Sequence, residues 1–124
     1  MTVRTLAVVT AGLSQPSSSR LLADGLAEST TQALREHGVD SSTHVVELRE
    51  HAHDLANHLL TGFPGEVLRE AIDGVVRADA LIAVTPIFTA AYSGLFKSFF
   101  DVLEVNSLTG RPVLIGATGG TERH

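Results

Sequence analysis

The 124-residue sequence contains no cysteine and no tryptophan, and its nine Lys and Arg residues form no run. Without cysteine there is no disulfide, no thiolate nucleophile and no iron–sulfur or zinc–cysteine site, so any redox chemistry must come from a bound cofactor. The net charge of −5 is spread along the chain, which argues against nucleic acid or an anionic membrane as partner. No apolar run reaches spanning length and no basic leader precedes the first one, so we expect a soluble, cytoplasmic protein.

What the sequence does contain is a regular alternation of short apolar runs and helical patterns. With 44% hydrophobic and 19% charged residues, the chain has the composition of one globular domain, residues 1–124. The runs at 6–9, 44–48, 80–84 and 112–117 predict strands, and the patterns at 21–34, 66–76 and 92–103 predict helices. We expect the third strand to stop at Thr85-Pro86, because proline has no N–H for the ladder.

The order β-α-β-α-β-α-β predicts an α/β fold with a right-handed, doubly wound parallel sheet. The fourth strand ends close to residue 124, without the crossover helix that would cover it. We therefore expect the domain to be truncated at its C-terminus, lacking a helix-strand-helix.

Two clusters have competing interpretations. His51, His53, Asp54 and His58 could be written as a metal site, but a solvated polar connection between strand and helix is favoured, since the region is poorly patterned. A hydrolase nucleophile at Ser93 is disfavoured, because the Gly-x-Ser-x-Gly turn is absent.

Lys97 and Asp101, at positions i and i+4, indicate an ion pair on an exposed helix face.

Ligands of open α/β sheets bind beyond the carboxyl ends of the strands. Three loops are predicted there, at 12–19, 86–93 and 118–120. The first is rich in serine and opens onto a helix, whose N-terminal N–H groups attract anions. It is neither a Gly-x-Gly-x-x-Gly nor a Walker loop. Two interpretations remain open: a phosphomonoester site, or a helix N-cap in a polar loop.

A family resemblance is carried by the segment from Thr85 to Asp101, which reads TPIFTAAYSGLFKSFFD, and by the ATGGT segment from Ala117 to Thr121. The two segments resemble those of the NADPH-dependent FMN reductase family, especially the branch that supplies reduced flavin to two-component monooxygenases. The resemblance extends over the whole chain and implies a flavodoxin-like fold.

The resemblance also implies a division of roles among three groups of residues. The FMN phosphate would be held by Ser14, Gln15, Ser17, Ser18 and Ser19. The isoalloxazine would be lined by Pro86, Ile87 and Phe88, and its pyrimidine edge would contact Thr118, Gly119 and Gly120. Two positions depart from the family pattern: Gln15 stands where arginine is frequent, and Phe88 stands where tyrosine is frequent. The first departure suggests weaker phosphate binding, and the second removes a hydroxyl but keeps an aromatic surface.

The implied function is that of an NAD(P)H:FMN oxidoreductase, in which hydride passes from the nicotinamide nucleotide to FMN and the reduced flavin serves a partner monooxygenase. No acid–base side chain is required for this transfer, and none is assigned. The aromatic cluster of Phe96, Phe99 and Phe100 lies on an unusually wide apolar helix face, which predicts core packing plus a subunit interface in a homodimer or homotetramer. A non-enzymatic flavodoxin-like FMN-binding module and a quinone reductase of the same fold are the alternatives.

Overall fold

The computed structural model describes residues 3–12, 17–88, 91–92, 94–103 and 108–119. Along the chain it contains β1 (Val3–Thr10), α1 (Ser18–Glu36), β2 (Asp40–Glu47), a 3₁₀ helix (Leu48–His51), α2 (Ala52–Thr61), α3 (Glu66–Arg77), β3 (Ala80–Phe88), β4 (Ala91–Tyr92), α4 (Gly94–Val102) and β5 (Val113–Gly119). Within these residues no helix is both long and apolar enough to cross a membrane.

The sheet confirms the predicted doubly wound arrangement. Four parallel strands lie in the order β2-β1-β3-β5, and the two-residue β4 pairs antiparallel with the end of β3. The chain first moves from β1 to β2 on one side and then to β3 on the other. The connections therefore diverge between β1 and β3, which marks the carboxyl edge there as the place for a ligand.

Helices cover both faces of this sheet. On one face, Leu6 and Val8 of β1 pack with Ala23 of α1, whereas Ala7 and Val9 belong to the core beneath α2, α3 and α4. Side chains alternate along a strand, so the even-numbered residues of β1 face α1 and the odd-numbered ones face the opposite layer. This alternation determines which edge residues lie beside the start of α1.

The histidine-bearing stretch after β2 is helical, although its sequence pattern predicts no helix there. His51 ends the 3₁₀ helix and is buried, and α2 continues to Gly62, where a φ of +80° ends the helix in the left-handed region. Leu48 and Leu55 anchor the segment in the core. Two apolar core residues seven positions apart are too few to produce a readable helical period. Over the described residues, no three His, Asp or Glu side chains are grouped so as to hold a metal.

The sequence predicts that the third strand stops at Thr85-Pro86, but β3 runs on to Phe88. The N–H of Leu81 bonds the carbonyl of Pro112 beside β5, so the backbone groups of Pro86, five residues later, face the opposite edge. On the β5 edge Pro86 still pairs with Thr118 and lacks no donor. On the β1 edge, the bonds of the described residues reach Ala11, whose N–H donates to Val84 O at 3.0 Å. Proline therefore removes one donor on the β1 edge without ending β3.

The aromatic helix is shorter than its sequence pattern. Tyr92 pairs with Ile87 in β4 and is not helical, and α4 begins at Gly94. Phe99 is completely buried, while Phe96 and Phe100 are half-buried against the same core. The rings of Phe99 and Phe100 meet edge to face, with centroids 5.5 Å apart. Core packing of this face is confirmed; its use as a subunit interface stays a prediction.

Candidate functional site

The first turn of α1 presents backbone donors at the carboxyl edge of the sheet. Ser17 is the N-cap: its Oγ accepts a hydrogen bond from the N–H of Arg20 at 2.9 Å, and its carbonyl accepts one from Leu21 at 3.1 Å. The N–H groups of Ser18 and Ser19 have no intrahelical carbonyl to bond, because they precede the first full turn. The hydroxyl of Ser17 keeps its own proton to donate, so capping and anion binding are compatible at this residue.

Gly12 lets the chain close tightly over the start of the helix. A Cβ built at Gly12 would overlap the side-chain Cβ and Oγ of Ser17, and would lie 3.3 Å from Cβ of Ser19. Gly12 itself is buried. Only glycine therefore allows the end of β1 and the start of α1 to approach this closely.

A direct contact joins the first predicted loop to the third. The hydroxyl oxygens of Ser19 and Thr118 are 3.0 Å apart, and Ser19 is only 2% exposed. Thr118 pairs with Pro86 across the sheet, so the same contact brings the end of β3 to the site. Residues from the two ends of the chain thus meet at the edge where β1 and β3 diverge.

A buried hydroxyl without a partner lies on the same face. Thr10 is 2% exposed, and its Oγ1 makes no hydrogen bond within the described residues. It is an even-numbered residue of β1, so it faces α1 at the end of the strand, where α1 begins. Because a buried hydroxyl without a partner is costly, an orphaned one at a helix N-terminus fits a missing acceptor such as a phosphate oxygen.

Charged side chains surround this edge. Arg20 Nη1 lies 3.1 Å from Glu47 Oε1 and its Nε lies 2.7 Å from Asp24 Oδ1, while Arg49 Nη2 lies 3.2 Å from Glu47 Oε2. Burial raises the pKa of Glu47, but hydrogen bonds with Glu50, Arg20 and Arg49 outweigh it and leave that pKa below its ordinary value. The hydrogen bond to Asp24 is the main cause of the raised pKa of Arg20. Both groups are therefore charged at neutral pH.

The predicted site residues fall into three groups in the structure. Ser17, Ser18 and Ser19 open α1, and Pro86 and Thr118 face the same side of the sheet. Ile87 and Gly119 occupy the next positions along their strands and so point to the opposite face. Pro86 to Phe88 and Thr118 to Gly119 belong to strand ends and not to loops, which corrects the prediction. Ser14, Gln15, Gly120 and the side chain of Phe88 lie outside the described residues.

The sequence alone did not assign Thr10, Arg20 or Glu47 to the site. A polar residue closing a buried apolar strand was the available signal for Thr10. Glu47 reaches the site because it stands beside Thr10 in the parallel register, and that pairing cannot be read from sequence spacing. A groove of about 610 Å³ between α1 and β2 is lined by residues 27–43, remote from this edge, and is not part of the candidate site.

Comparison with known proteins decides the family. The family model for NADPH-dependent FMN reductase matches residues 4–124. The chain belongs to this family. An FMN reductase (NADPH) of Pseudomonas aeruginosa is 35% identical over 116 residues, covering 94% of this chain and 60% of that protein. The NADH-dependent FMN reductase SfnE of Pseudomonas putida is 37% identical over 113 residues, covering 91% and 58%.

Solved structures agree with this assignment. An oxidoreductase from Corynebacterium diphtheriae superposes with a TM-score of 0.94 at 43% identity, covering all of this chain and 68% of that one. The fold of this FMN reductase family member is the flavodoxin-like α/β sheet. The chain spans about 60% of the length of the curated relatives above.

Proposed function

We propose that this chain carries the FMN phosphate site of an NAD(P)H-dependent FMN reductase, and that the whole protein transfers hydride from a nicotinamide nucleotide to FMN. The observation that carries the proposal is the contact of Ser19 with Thr118 on the same face of the sheet as Thr10, whose hydroxyl has no partner among the described residues. The relatives named FMN reductase support the same activity.

The residues present fit the phosphate end of FMN. The N–H groups of Ser18 and Ser19, the hydroxyl protons of Ser17 and Thr10, and the positive end of the helix dipole all suit a phosphomonoester. Gly12 keeps the cradle closed, since any side chain there would displace Ser17. Ser14 and Gln15 complete the phosphate loop in this proposal.

The flavin ring belongs at the ends of β3 and β5. Pro86 and Phe88 would line the isoalloxazine, and Ile87, whose side chain points to the opposite face, would do so through its backbone. Thr118, Gly119 and Gly120 would contact the pyrimidine edge of the ring. When bound, FMN supplies hydride acceptance and donation at its ring. The contribution of the protein is to fix the ring relative to the nicotinamide, because no side-chain proton transfer is needed.

The test is flavin titration combined with turnover. FMN binding is read by quenching of flavin fluorescence, with riboflavin as the ligand that lacks phosphate. Steady-state oxidation of NADPH and NADH is then measured with FMN and with menadione as acceptors. Tighter binding of FMN than of riboflavin, with FMN-dependent oxidation, is the expected result.

Other results would favour other functions. FMN binding without any nicotinamide oxidation favours a non-enzymatic binding module. Oxidation with menadione but not with free FMN favours a quinone reductase. Absence of binding to both flavins contradicts the proposal itself.

Supply of reduced flavin to a partner monooxygenase is the finer part of the proposal. It predicts that reduced FMN leaves the protein. After anaerobic reduction by NADPH, reduced FMN should pass an ultrafilter that retains the protein, and retention of all flavin would oppose this role. The proposed homodimer or homotetramer, with Phe96 and Phe100 at the margin of the interface, is tested by sedimentation equilibrium.

A further inference from the structure

We propose that Arg20 is the cationic partner of the FMN phosphate and that Glu47 positions it. This inference rests on the proposed function and adds to it a residue that determines specificity for the phosphate. The loop that precedes α1, residues 13–17, has the sequence LSQPS and contains no cation. A cation for the dianionic phosphate must therefore come from elsewhere if the site has one.

Arg20 stands where such a cation is useful. It lies in the first turn of α1, and its own N–H is bonded to the N-cap oxygen of Ser17 at 2.9 Å. Its guanidinium also reaches the carboxyl edge of the sheet, where Nη1 lies 3.1 Å from Oε1 of Glu47, the last residue of β2. The first turn of α1 contains no acidic residue that would compete with an anion.

Two carboxylates from different elements hold the guanidinium. Asp24 is one turn further along α1, whereas Glu47 closes β2 and stands beside Thr10 in the register of the sheet. The contact with Glu47 brings the guanidinium to the same face as the unpartnered hydroxyl of Thr10. The side chain of Glu47 is only 16% exposed, and a second arginine, Arg49, also contacts it.

Two carboxylates already stabilise the charge of Arg20 in the protein without flavin. Asp24 and Glu47 compensate the opposing dipole of α1 and raise the pKa of Arg20, so its use to an anion lies in the donors that these contacts leave. The planar guanidinium has five N–H donors, and its contacts with Asp24 and Glu47 engage Nε and Nη1. The donors on Nη2 are those that can bond a phosphate oxygen while Asp24 and Glu47 keep the guanidinium in place.

The first experiment compares FMN with riboflavin for the wild type, Arg20→Gln, Arg20→Lys and the control Asp73→Asn, in buffer without phosphate. Arg20→Gln should weaken FMN binding about tenfold, the usual effect of losing one charge-assisted hydrogen bond, and riboflavin binding less than about twofold. Arg20→Lys keeps the charge but loses the planar guanidinium, so it should lie between wild type and Arg20→Gln. Asp73→Asn removes the carboxylate of an exposed i,i+4 pair with Arg77 on α3 and should change both affinities less than about twofold.

The second experiment tests whether Glu47 acts through Arg20. Glu47→Gln is measured alone and in the Arg20→Gln background. A positioning residue should lose its effect on FMN affinity once Arg20 is gone, so the double variant should bind FMN as Arg20→Gln does. An equal effect of Glu47→Gln in both backgrounds overturns the positioning role.

Failure of this inference is distinguishable from failure of the proposed function. If wild type binds FMN but Arg20→Gln changes both flavins equally or neither, Arg20 is not the phosphate partner. An Arg20→Lys variant that binds FMN as wild type does would overturn the role of the planar guanidinium. If wild type binds neither flavin, the proposed function itself fails. Riboflavin binding also shows that each variant is folded at the site.

Discussion

Replacing Thr10 with valine tests two effects of its buried hydroxyl: a loss of stability in the protein without flavin, and a contribution to FMN binding. The two side chains have nearly the same shape, so the exchange removes one buried polar group and leaves the packing of β1 intact. Thr10 is 2% exposed and its Oγ1 has no partner among the described residues. Thr10→Val should therefore make the protein without flavin more stable and weaken its binding of FMN.

The size of both effects follows from the burial of the hydroxyl. An unsatisfied buried polar group costs about 1–3 kcal/mol, so the free energy of unfolding should rise by about 1 kcal/mol or more. In the proposed complex the hydroxyl would donate to a charged phosphate oxygen, a bond of about 1.5–3 kcal/mol. FMN affinity should accordingly fall by about tenfold or more, while riboflavin affinity stays within about twofold.

Thr85→Val is the matched control. Thr85 is also a strand threonine with 3% exposure, but its Oγ1 donates to the carbonyl of Pro86 at 3.0 Å. Its replacement should lower the free energy of unfolding by about 1 kcal/mol, the opposite sign to Thr10→Val. Urea unfolding of the flavin-free proteins and flavin fluorescence titrations give both quantities. A Thr10→Val protein that is less stable than wild type and binds FMN unchanged would refute the reasoning.

Three further predictions concern the same edge. Ser18→Ala combined with Ser19→Ala should weaken FMN far more than riboflavin in fluorescence titrations, because only FMN has a phosphate; equal losses would place the phosphate elsewhere. Gly12→Ala should lower the free energy of unfolding by about 1–3 kcal/mol in urea, since its Cβ meets Ser17, and a stability within error of wild type would contradict the close approach. The pKa of Glu47 is lowered by folding, so its charge stabilises the protein above the ordinary value of 4.5, and this stabilisation is lost as the pH falls through the folded pKa. Acid unfolding should therefore show a weaker pH dependence in Glu47→Gln, and an unchanged slope would remove Glu47 as its source.

The sheet was predictable because its strands are buried on both faces. Apolar runs such as 6–9 and 80–84 can be recognised as strands from their own residues, and their alternation with helical patterns predicts a parallel sheet. The elements that escaped prediction depend on tertiary packing. The segment after β2 becomes helical because Leu48 and Leu55 reach the core, and β3 continues past Pro86 because β5 supplies its ladder.

The candidate site was predictable where one segment supplies its chemistry. Ser17 to Ser19 could be placed at a helix N-terminus from spacing alone, with capping and anion binding equally open. Thr10 and Glu47 could not be assigned to the site from the sequence, because each belongs to it through its pairing with the other across β1 and β2. Position relative to a neighbouring strand is a property of register, which composition and periodicity do not contain.

Three features from separate elements meet at this edge of the folded chain. Thr10 buries a hydroxyl that has no partner among the described residues, Arg20 has donors on Nη2 beyond its contacts with Asp24 and Glu47, and Pro86 has no N–H to offer on its β1 side. The buried hydroxyl has a local cost in the protein without flavin. One anionic ligand at the start of α1 would give Thr10 an acceptor and would bond the remaining donors of Arg20. A protein selected for stability alone would have no reason to collect these features at one edge, whereas a protein that binds FMN by its phosphate does.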